Sequence, residues 1–272
     1  MRIEGSRIVI TGASSGIGQS LAWITAEKGG SLVLASRNVD RLRDTASQIK
    51  KVFPETPEPL ALRCDVADSR SVHNLIDAAT RRLGGIDILI NNAGISVYGD
   101  MERTSMEDFE SLFDVNFFGP LYGMFEIIPQ MKAKNQGIIV NIASLAAIHG
   151  APYLGAYGAS KAALAVLGQA LRAELSEYGI KIINVYPGYT RTNIFDREKK
   201  VGGARRPDTH YAPASRVAGA VVKAIETEKQ ELVLSVEGRA MALIKGVLPK
   251  LVANVMERIA SNLREREQVC HG

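Results

Sequence analysis

The chain has 272 residues, enough for one large domain or two small ones, and its 46% hydrophobic and 23% charged residues are the balance of a soluble globular protein with a sizeable core. A net charge of +4, without any dense Lys/Arg tract, excludes nucleic acid as the expected partner and fits a polyanionic small ligand. Cys64 and Cys270 are too few and too distant for a disulfide framework, and four scattered histidines have no ligand spacing, so no metal is expected. The N-terminus MRIEGSRIVI lacks an apolar leader and no run of eighteen apolar residues occurs, so the expected location is cytoplasmic and reducing.

Arg7-Ile8-Val9-Ile10 reads as a short buried strand. It runs into Thr11-Gly12-Ala13-Ser14-Ser15-Gly16-Ile17-Gly18 and a helical stretch from Gln19 to about Lys28. Strand, glycine-rich turn and helix is the context of a phosphate-binding loop: glycines admit a close backbone approach, and the helix N-terminus offers free N–H groups. The spacing is G-x-x-x-G-x-G, and a glycine turn without a ligand would look similar. Ser31–Ala35 is the second strand, ending in Ser36-Arg37. An acid here would bind ribose hydroxyls; Ser36 and Arg37 suit a 2′-phosphate instead, which favours NADP(H) over NAD(H).

A helix over 40–53, a proline-broken connection and a strand over 60–64 follow, closed by Asp65-Val66. Asp65 either meets an adenine amino group or caps a turn. A helix over 69–83 turns Val72, Leu75, Ile76 and Ala79 to one face. A fourth strand, 86–90, ends in Asn91-Asn92-Ala93-Gly94, whose small residues leave room above the sheet edge. A helix over 105–113 precedes a long one over 115–134, bent near Pro120 and Pro129 and holding Asn116 as a structural amide or a relay. The fifth strand, 137–142, precedes Ser144. Tyr157 and Lys161 then lie one turn apart on a helix, where a fixed ammonium favours the phenolate and makes Tyr157 a candidate acid/base. A sixth strand, 180–185, is closed by Tyr186-Pro187-Gly188; 190–213 reads as an irregular substrate loop, 214–226 as a helix and 231–236 as the seventh strand.

The alternation implies a single-domain α/β fold, a doubly wound parallel sheet of about seven strands with helices on both faces. Gly12, Arg37, Asp65, Asn92, Ser144 and Pro187 all fall at or beyond predicted strand ends, where such sheets bind ligands.

The motifs TGASSGIG (11–18), NNAG (91–94), Asn116, Ser144, YGASK (157–161) and PG (187–188) together resemble the short-chain dehydrogenases/reductases, from Arg7 to about Thr192. The resemblance implies a Rossmann-type fold and an oxidoreductase acting on CH–OH donors with NADP+ as acceptor, interconverting a carbonyl and a secondary alcohol. It implies Tyr157 as proton donor and acceptor, Lys161 as the group that holds the nicotinamide ribose and lowers the tyrosine pKa, Ser144 on the substrate oxygen, and Asn116 as anchor of a proton-relay water. It assigns cofactor contacts to Gly12, Ser14, Ser15, Gly16, Ile17, Gly18, Ser36, Arg37, Asp65, Val66, Asn92, Ala93, Gly94, Tyr157, Lys161, Pro187, Gly188 and Thr192. An alternative is a 3-oxoacyl-thioester reductase, with Arg197, Lys199, Lys200, Arg205 and Arg206 receiving an acidic carrier or CoA; a non-catalytic NADP-sensing protein is a remote third reading. The catalytic unit is set at 1–237, and 238–272 is an apolar helical extension with a polar tail, similar to extensions of members acting on lipophilic alcohols and ketones. That extension is expected to cover the core or form a dimer, to wall a substrate pocket, or to touch a membrane surface through 240–256. A homodimer or homotetramer and a lipophilic small-molecule substrate are the expected partners.

Overall fold

The computed structural model describes residues 2–192, 194, 198–208 and 211–264. Arg197, part of the predicted substrate loop and the polar tail after Arg264 lie outside the described residues. In chain order the first half comprises β1 (Arg7–Thr11), α1 (Gly16–Glu27), β2 (Ser31–Ser36), α2 (Val39–Val52), β3 (Leu60–Arg63), α3 (Ser69–Leu83), β4 (Ile88–Asn91), the short β5 (Val97–Gly99) and α4 (Met106–Phe113). The second half comprises α5 (Gly119–Lys134), β6 (Gly137–Ile142), α6 (Gly155–Glu174), β7 (Ile180–Tyr186), β8 (Thr190–Arg191), β9 (Lys199–Val201), β10 (Ala212–Pro213), α7 (Ala214–Glu226), β11 (Glu231–Val233), α8 (Val236–Val247) and α9 (Pro249–Leu263).

The main sheet has seven parallel strands in the order β11-β7-β6-β4-β1-β2-β3. Successive strand residues face opposite ways, and both faces are covered, so the strands read as unbroken apolar runs. Ile8 and Ile10 of β1 join Leu32 and Leu34 of β2 against Leu21, Ala22 and Ala26 of α1 and Val217, Val221 and Ile225 of α7. Val9, Val33, Leu89 and Ile139 face the other way, onto Val72, Leu75, Ile76 and Ala79 of α3, Met124, Ile127 and Met131 of α5, and Leu164 of α6. The chain builds outward from β1 to β3 and then returns to β4 on the other side of β1. That reversal opens a crevice between the loops after β1 and β4, where doubly wound sheets hold ligands.

Several expected boundaries move. The strand predicted over 231–236 ends at Val233, because the Ser235 hydroxyl accepts the Gly238 N–H at 2.8 Å and starts α8. The helix expected over 115–134 begins with a π turn, Asp114–Phe118, with Pro120 in the first turn of α5 and Pro129 inside that helix. The apolar stretch after Gly238 is two helices, broken at Leu248–Pro249. The region 190–213 is not wholly irregular: β9 pairs with β5 and β10 with β8.

That flap over the sheet edge is held by a buried polar cluster. Ser96 Oγ donates to Glu198 Oε1 at 2.6 Å, and the other carboxylate oxygen pairs with Arg206. The Arg206 guanidinium lies 4.7 Å from the centre of the Tyr98 ring, whose hydroxyl donates to the Arg205 carbonyl at 2.6 Å. α9 closes over the same place, since Arg205 N–H reaches the Leu263 carbonyl and Tyr153 Oη the Ala260 carbonyl.

Candidate active site

The glycine loop is shaped by its neighbour across the switch point. Thr11 Oγ1 accepts the N–H groups of Asn92 and Ala93, and Asn92 Nδ2 donates to the carbonyls of Thr11 at 2.9 Å and Gly12 at 3.1 Å. The β1 and β4 loops are thus stitched together. Gly12 has φ +66°, and a Cβ there would stand 2.7 Å from Ala93 Cα; a Cβ on Gly18 would stand 2.4 Å from the Gly12 carbonyl oxygen. Both positions therefore require glycine, one for conformation and both for space. Ser15 begins α1 without capping it by its side chain, and no acid lies in the first turn. The loop thus has the free N–H groups and positive dipole end that a phosphate needs.

Behind the loops runs a ladder of amides. β4, β6 and β7 place Asn91, Asn141 and Asn184 in register. Asn91 Nδ2 donates to Asn141 Oδ1 at 3.0 Å, Asn141 Nδ2 to Asn184 Oδ1 at 3.3 Å, and Asn184 Nδ2 to the Ala165 carbonyl of α6 at 2.9 Å. A Cβ on Gly168 would stand 2.4 Å from Asn184 Oδ1, so α6 lies as close to the sheet as its backbone allows. The helix that carries Tyr157 and Lys161 is seated on these amides.

Lys161 is 2% exposed, and its Nζ donates to the Ile142 carbonyl at 2.8 Å. Burial pulls its pKa down to about 8. The Tyr157 phenol is hydrogen-bonded to the Ser144 side chain, which lowers its pKa, but burial acts more strongly and holds the phenol above its ordinary value. The expected depression of the tyrosine pKa by Lys161 is not seen in this unliganded site: desolvation of the phenol is the larger influence and Ser144 alone opposes it. Asn116 is fully buried in the π turn: Nδ2 donates to the Ile95 carbonyl and to Ser160 Oγ, each at 3.0 Å, while Oδ1 accepts the Ile95 N–H at 3.0 Å. Its amide fastens the β4 loop to α6.

One cleft of about 1190 Å³ gathers nearly all the expected site residues. Its wall includes Gly12, Ser14, Ser15, Gly16 and Ile17 of the glycine loop, Ser36 and Arg37 after β2, and Asp65 and Val66 after β3. Asn92, Ala93, Gly94, Ser144, Tyr157, Lys161, Pro187, Gly188 and Thr192 complete it. Gly18 and Asn116 do not line it; each stands one layer behind, at the close approaches just described. The same cavity reaches from Arg37 past the glycine loop to Tyr157. Arg37 is exposed and has no partner among the described residues, while Ser36 Oγ makes a turn with Asn38. Asp65 Oδ1 accepts the Ala67 N–H at 3.2 Å, so it caps a turn and faces the cleft at once.

The amide ladder and His149 are not singled out by the sequence, whereas the extension as a pocket wall and the basic run are. The amide ladder has a visible signal, an asparagine in each of three apolar strands, but its meaning depends on register. His149 lines the cleft with a buried Nδ1 that has no hydrogen-bond partner among the described residues, and burial together with Lys245 holds its pKa down. Met241, Met256, Ile259 and Leu263 bring α8 and α9 into the apolar end of the wall. Two of the four described cations in the basic run near 199–206 are paired within the chain: Lys199 with Asp108 at 2.8 Å and Arg206 with Glu198.

A family model described as short chain dehydrogenase matches residues 6–201. The chain is 31% identical over 270 residues to dehydrogenase/reductase SDR family member 7B from Mus musculus, covering 97% of this chain and 84% of that protein. It is 28% identical to the uncharacterized oxidoreductase YxnA from Bacillus subtilis, covering 98% of this chain and 76% of the other. Among solved structures, a short-chain dehydrogenase/reductase from Burkholderia phymatum in complex with NAD superposes with a TM-score of 0.83 at 27% identity, covering 92% of this chain and 96% of that one. A short chain dehydrogenase from Burkholderia cenocepacia in complex with NADP superposes with a TM-score of 0.80 at 25% identity, covering 94% and 99%. With the cleft, the seated α6 and these likenesses together, the chain belongs to the short-chain dehydrogenase family and is an oxidoreductase of that family.

Proposed function

We propose that the chain is an NADP(H)-dependent oxidoreductase that interconverts a carbonyl and a secondary alcohol. The observation that carries this reading is the Tyr157 hydroxyl, hydrogen-bonded to Ser144 beside the buried Lys161, in the same cleft as the glycine loop. The residues of the cleft fit a nicotinamide dinucleotide, which when bound supplies or takes up hydride at the substrate carbon. The loop at 12–17 would hold its pyrophosphate, and Asp65 and Val66 its adenine. Ser36 and Arg37 would take a 2′-phosphate, since no acid at the end of β2 competes. Gly94, Lys161, Pro187, Gly188 and Thr192 would border the nicotinamide end.

Ser144 Oγ would hydrogen-bond the substrate oxygen and share the charge that grows there. Tyr157 would give its proton to that oxygen in reduction and remove it in oxidation. A phenol held above its usual range stays protonated in the unliganded site. Lys161 would hold the cofactor ribose, and its ammonium would favour the phenolate once a ligand orders the site. Asn116 would support a proton path behind Gly94, where its Oδ1 and Lys161 Nζ come together.

The apolar wall contributed by α8 and α9 supports a lipophilic substrate, and His149 would hydrogen-bond a second polar group on it. Phe125 of α5 and Val166 of α6, each 64% exposed, support a homodimer built on those helices. Replacement Tyr157→Phe should leave NADPH binding within about twofold while cutting turnover of a ketone by about a thousandfold or more. Retention of most activity would remove Tyr157 from the proton step.

A further inference from the structure

The two terminal helices end in an apolar tip that the rest of the described chain leaves uncovered. α8 closes with Leu243, Ile244 and Val247, and α9 follows with Leu248 and Leu251; their exposures are 75%, 37%, 79%, 54% and 49%. Exposed aliphatic side chains scattered singly need no explanation, but five within nine residues of one helix junction form a patch. From Gly238 through Met256 the chain carries Arg239, Lys245 and Lys250 and no Asp or Glu. All three cations are exposed.

The inner side of the same helices belongs to the cleft. Met241 and Met256 line it, Gly238 lies against Leu145, and Lys245 Nζ donates to the Ile148 carbonyl at 2.7 Å. The tip therefore sits at the rim of the apolar end of the cleft, tied to the loop after Ser144. No helix among the described residues is long and apolar enough to cross a membrane. Aliphatic groups beside the exposed Lys250 at the junction of two short helices have the composition of a segment that lies in an anionic headgroup layer.

We propose that the α8–α9 tip docks on an anionic lipid surface, with Leu243, Val247, Leu248 and Leu251 in the headgroup–acyl boundary and Lys250 facing lipid phosphates, so that a lipophilic substrate passes between bilayer and cleft. A second copy of the chain is the weaker occupant: a two-fold contact here would oppose Lys250 to its own copy, with no acid from Gly238 through Met256 to offset it. A specific protein partner would be met by aromatic or arginine anchors seated in pockets, and the tip has only flexible aliphatic groups. Docking is read without turnover, so its failure is separable from failure of the proposed reaction, on which substrate passage rests.

The test is co-sedimentation of the full chain with sucrose-loaded vesicles of phosphatidylcholine containing a quarter phosphatidylserine, and with phosphatidylcholine alone. The wild type should pellet with the anionic vesicles and be released by raised salt. Leu243→Ser with Val247→Ser should weaken partitioning by about tenfold or more, and Lys250→Glu should weaken it on anionic vesicles only. Both variants alter exposed groups, so melting temperature and NADPH binding should match the wild type. Wild type that stays in the supernatant with both vesicles overturns the proposal. So does a double variant that pellets like the wild type, or one that, without lipid, changes a dimer into monomers by light scattering, which would assign the tip to a second copy.

Discussion

Replacing Lys161 by methionine removes an ammonium from a place that water barely reaches. The side chain lies under α6 with one hydrogen bond to the Ile142 carbonyl, and burial lowers its pKa from 10.5 to about 8. At about 1.36 kcal/mol per unit, the charged lysine costs the folded state about 3 kcal/mol relative to the unfolded chain. Below about pH 8 the amine is protonated in both states and this cost is present in full. Between about pH 8 and 10.5 the unfolded chain holds the proton more tightly, so wild-type stability rises with pH until the cost is gone. Methionine has a similar length and no charge to desolvate, but it leaves the Ile142 carbonyl without its partner, at about 1 kcal/mol. Lys161→Met is therefore expected to stabilise the protein at pH 7 by about 2 kcal/mol, or roughly 4 °C in Tm for a chain of this size. That gain should vanish near pH 10, while carbonyl reduction falls by orders of magnitude, as expected where a site is kept at the expense of stability. Urea unfolding of both proteins at the two pH values measures it. A variant less stable than the wild type at pH 7, or a difference that does not change with pH, would refute the desolvation argument.

Arg206→Met should cost about 3–5 kcal/mol, because the Glu198 side chain is wholly buried and would keep its charge unpaired, and KM should rise as the flap loosens. Adding Glu198→Gln should recover most of the loss; thermal unfolding that shows less than about 1 kcal/mol for the single change would place the pair with exposed ion pairs. Arg37→Ala should weaken NADPH by about tenfold or more and leave NADH nearly unchanged, as read by fluorescence titration, and equal effects would mean that Arg37 does not read a 2′-phosphate. His149→Leu should raise KM by about tenfold for ketones bearing a second hydroxyl, with kcat and the unsubstituted ketone little changed, and a uniform loss across both substrates would make His149 structural.

The apolar β-branched runs were legible because strands covered on both faces need no alternation, and α3 because its four buried residues recur at helical spacing. The glycine loop, the NNAG turn and the Tyr157–Lys161 pair were legible because local geometry forces their residue types: a methyl at Gly12 or Gly18 meets the neighbouring loop whatever the ligand. The end of β11 was misjudged because Leu234 continues an apolar run, while the stop is a side-chain cap from Ser235. The flap was read as irregular because its order comes from Glu198 and Arg206 meeting Ser96 and Tyr98 about a hundred positions away in the chain, which no local pattern records.

The sequence by itself determined the fold class and the kinds of group at the strand ends, since those follow from periodicity and from steric need within a few residues. Tertiary structure decided how the groups behave. Only when α6 is seated on the Asn91–Asn141–Asn184 ladder does Lys161 lose its water, and burial then sets the direction of its shift and of that of Tyr157. It also decided that the extension after β11 walls the cleft on one side and shows an apolar tip on the other. Charge state and exposure depend on everything packed around a group, and those neighbours come from parts of the chain that only the fold brings together.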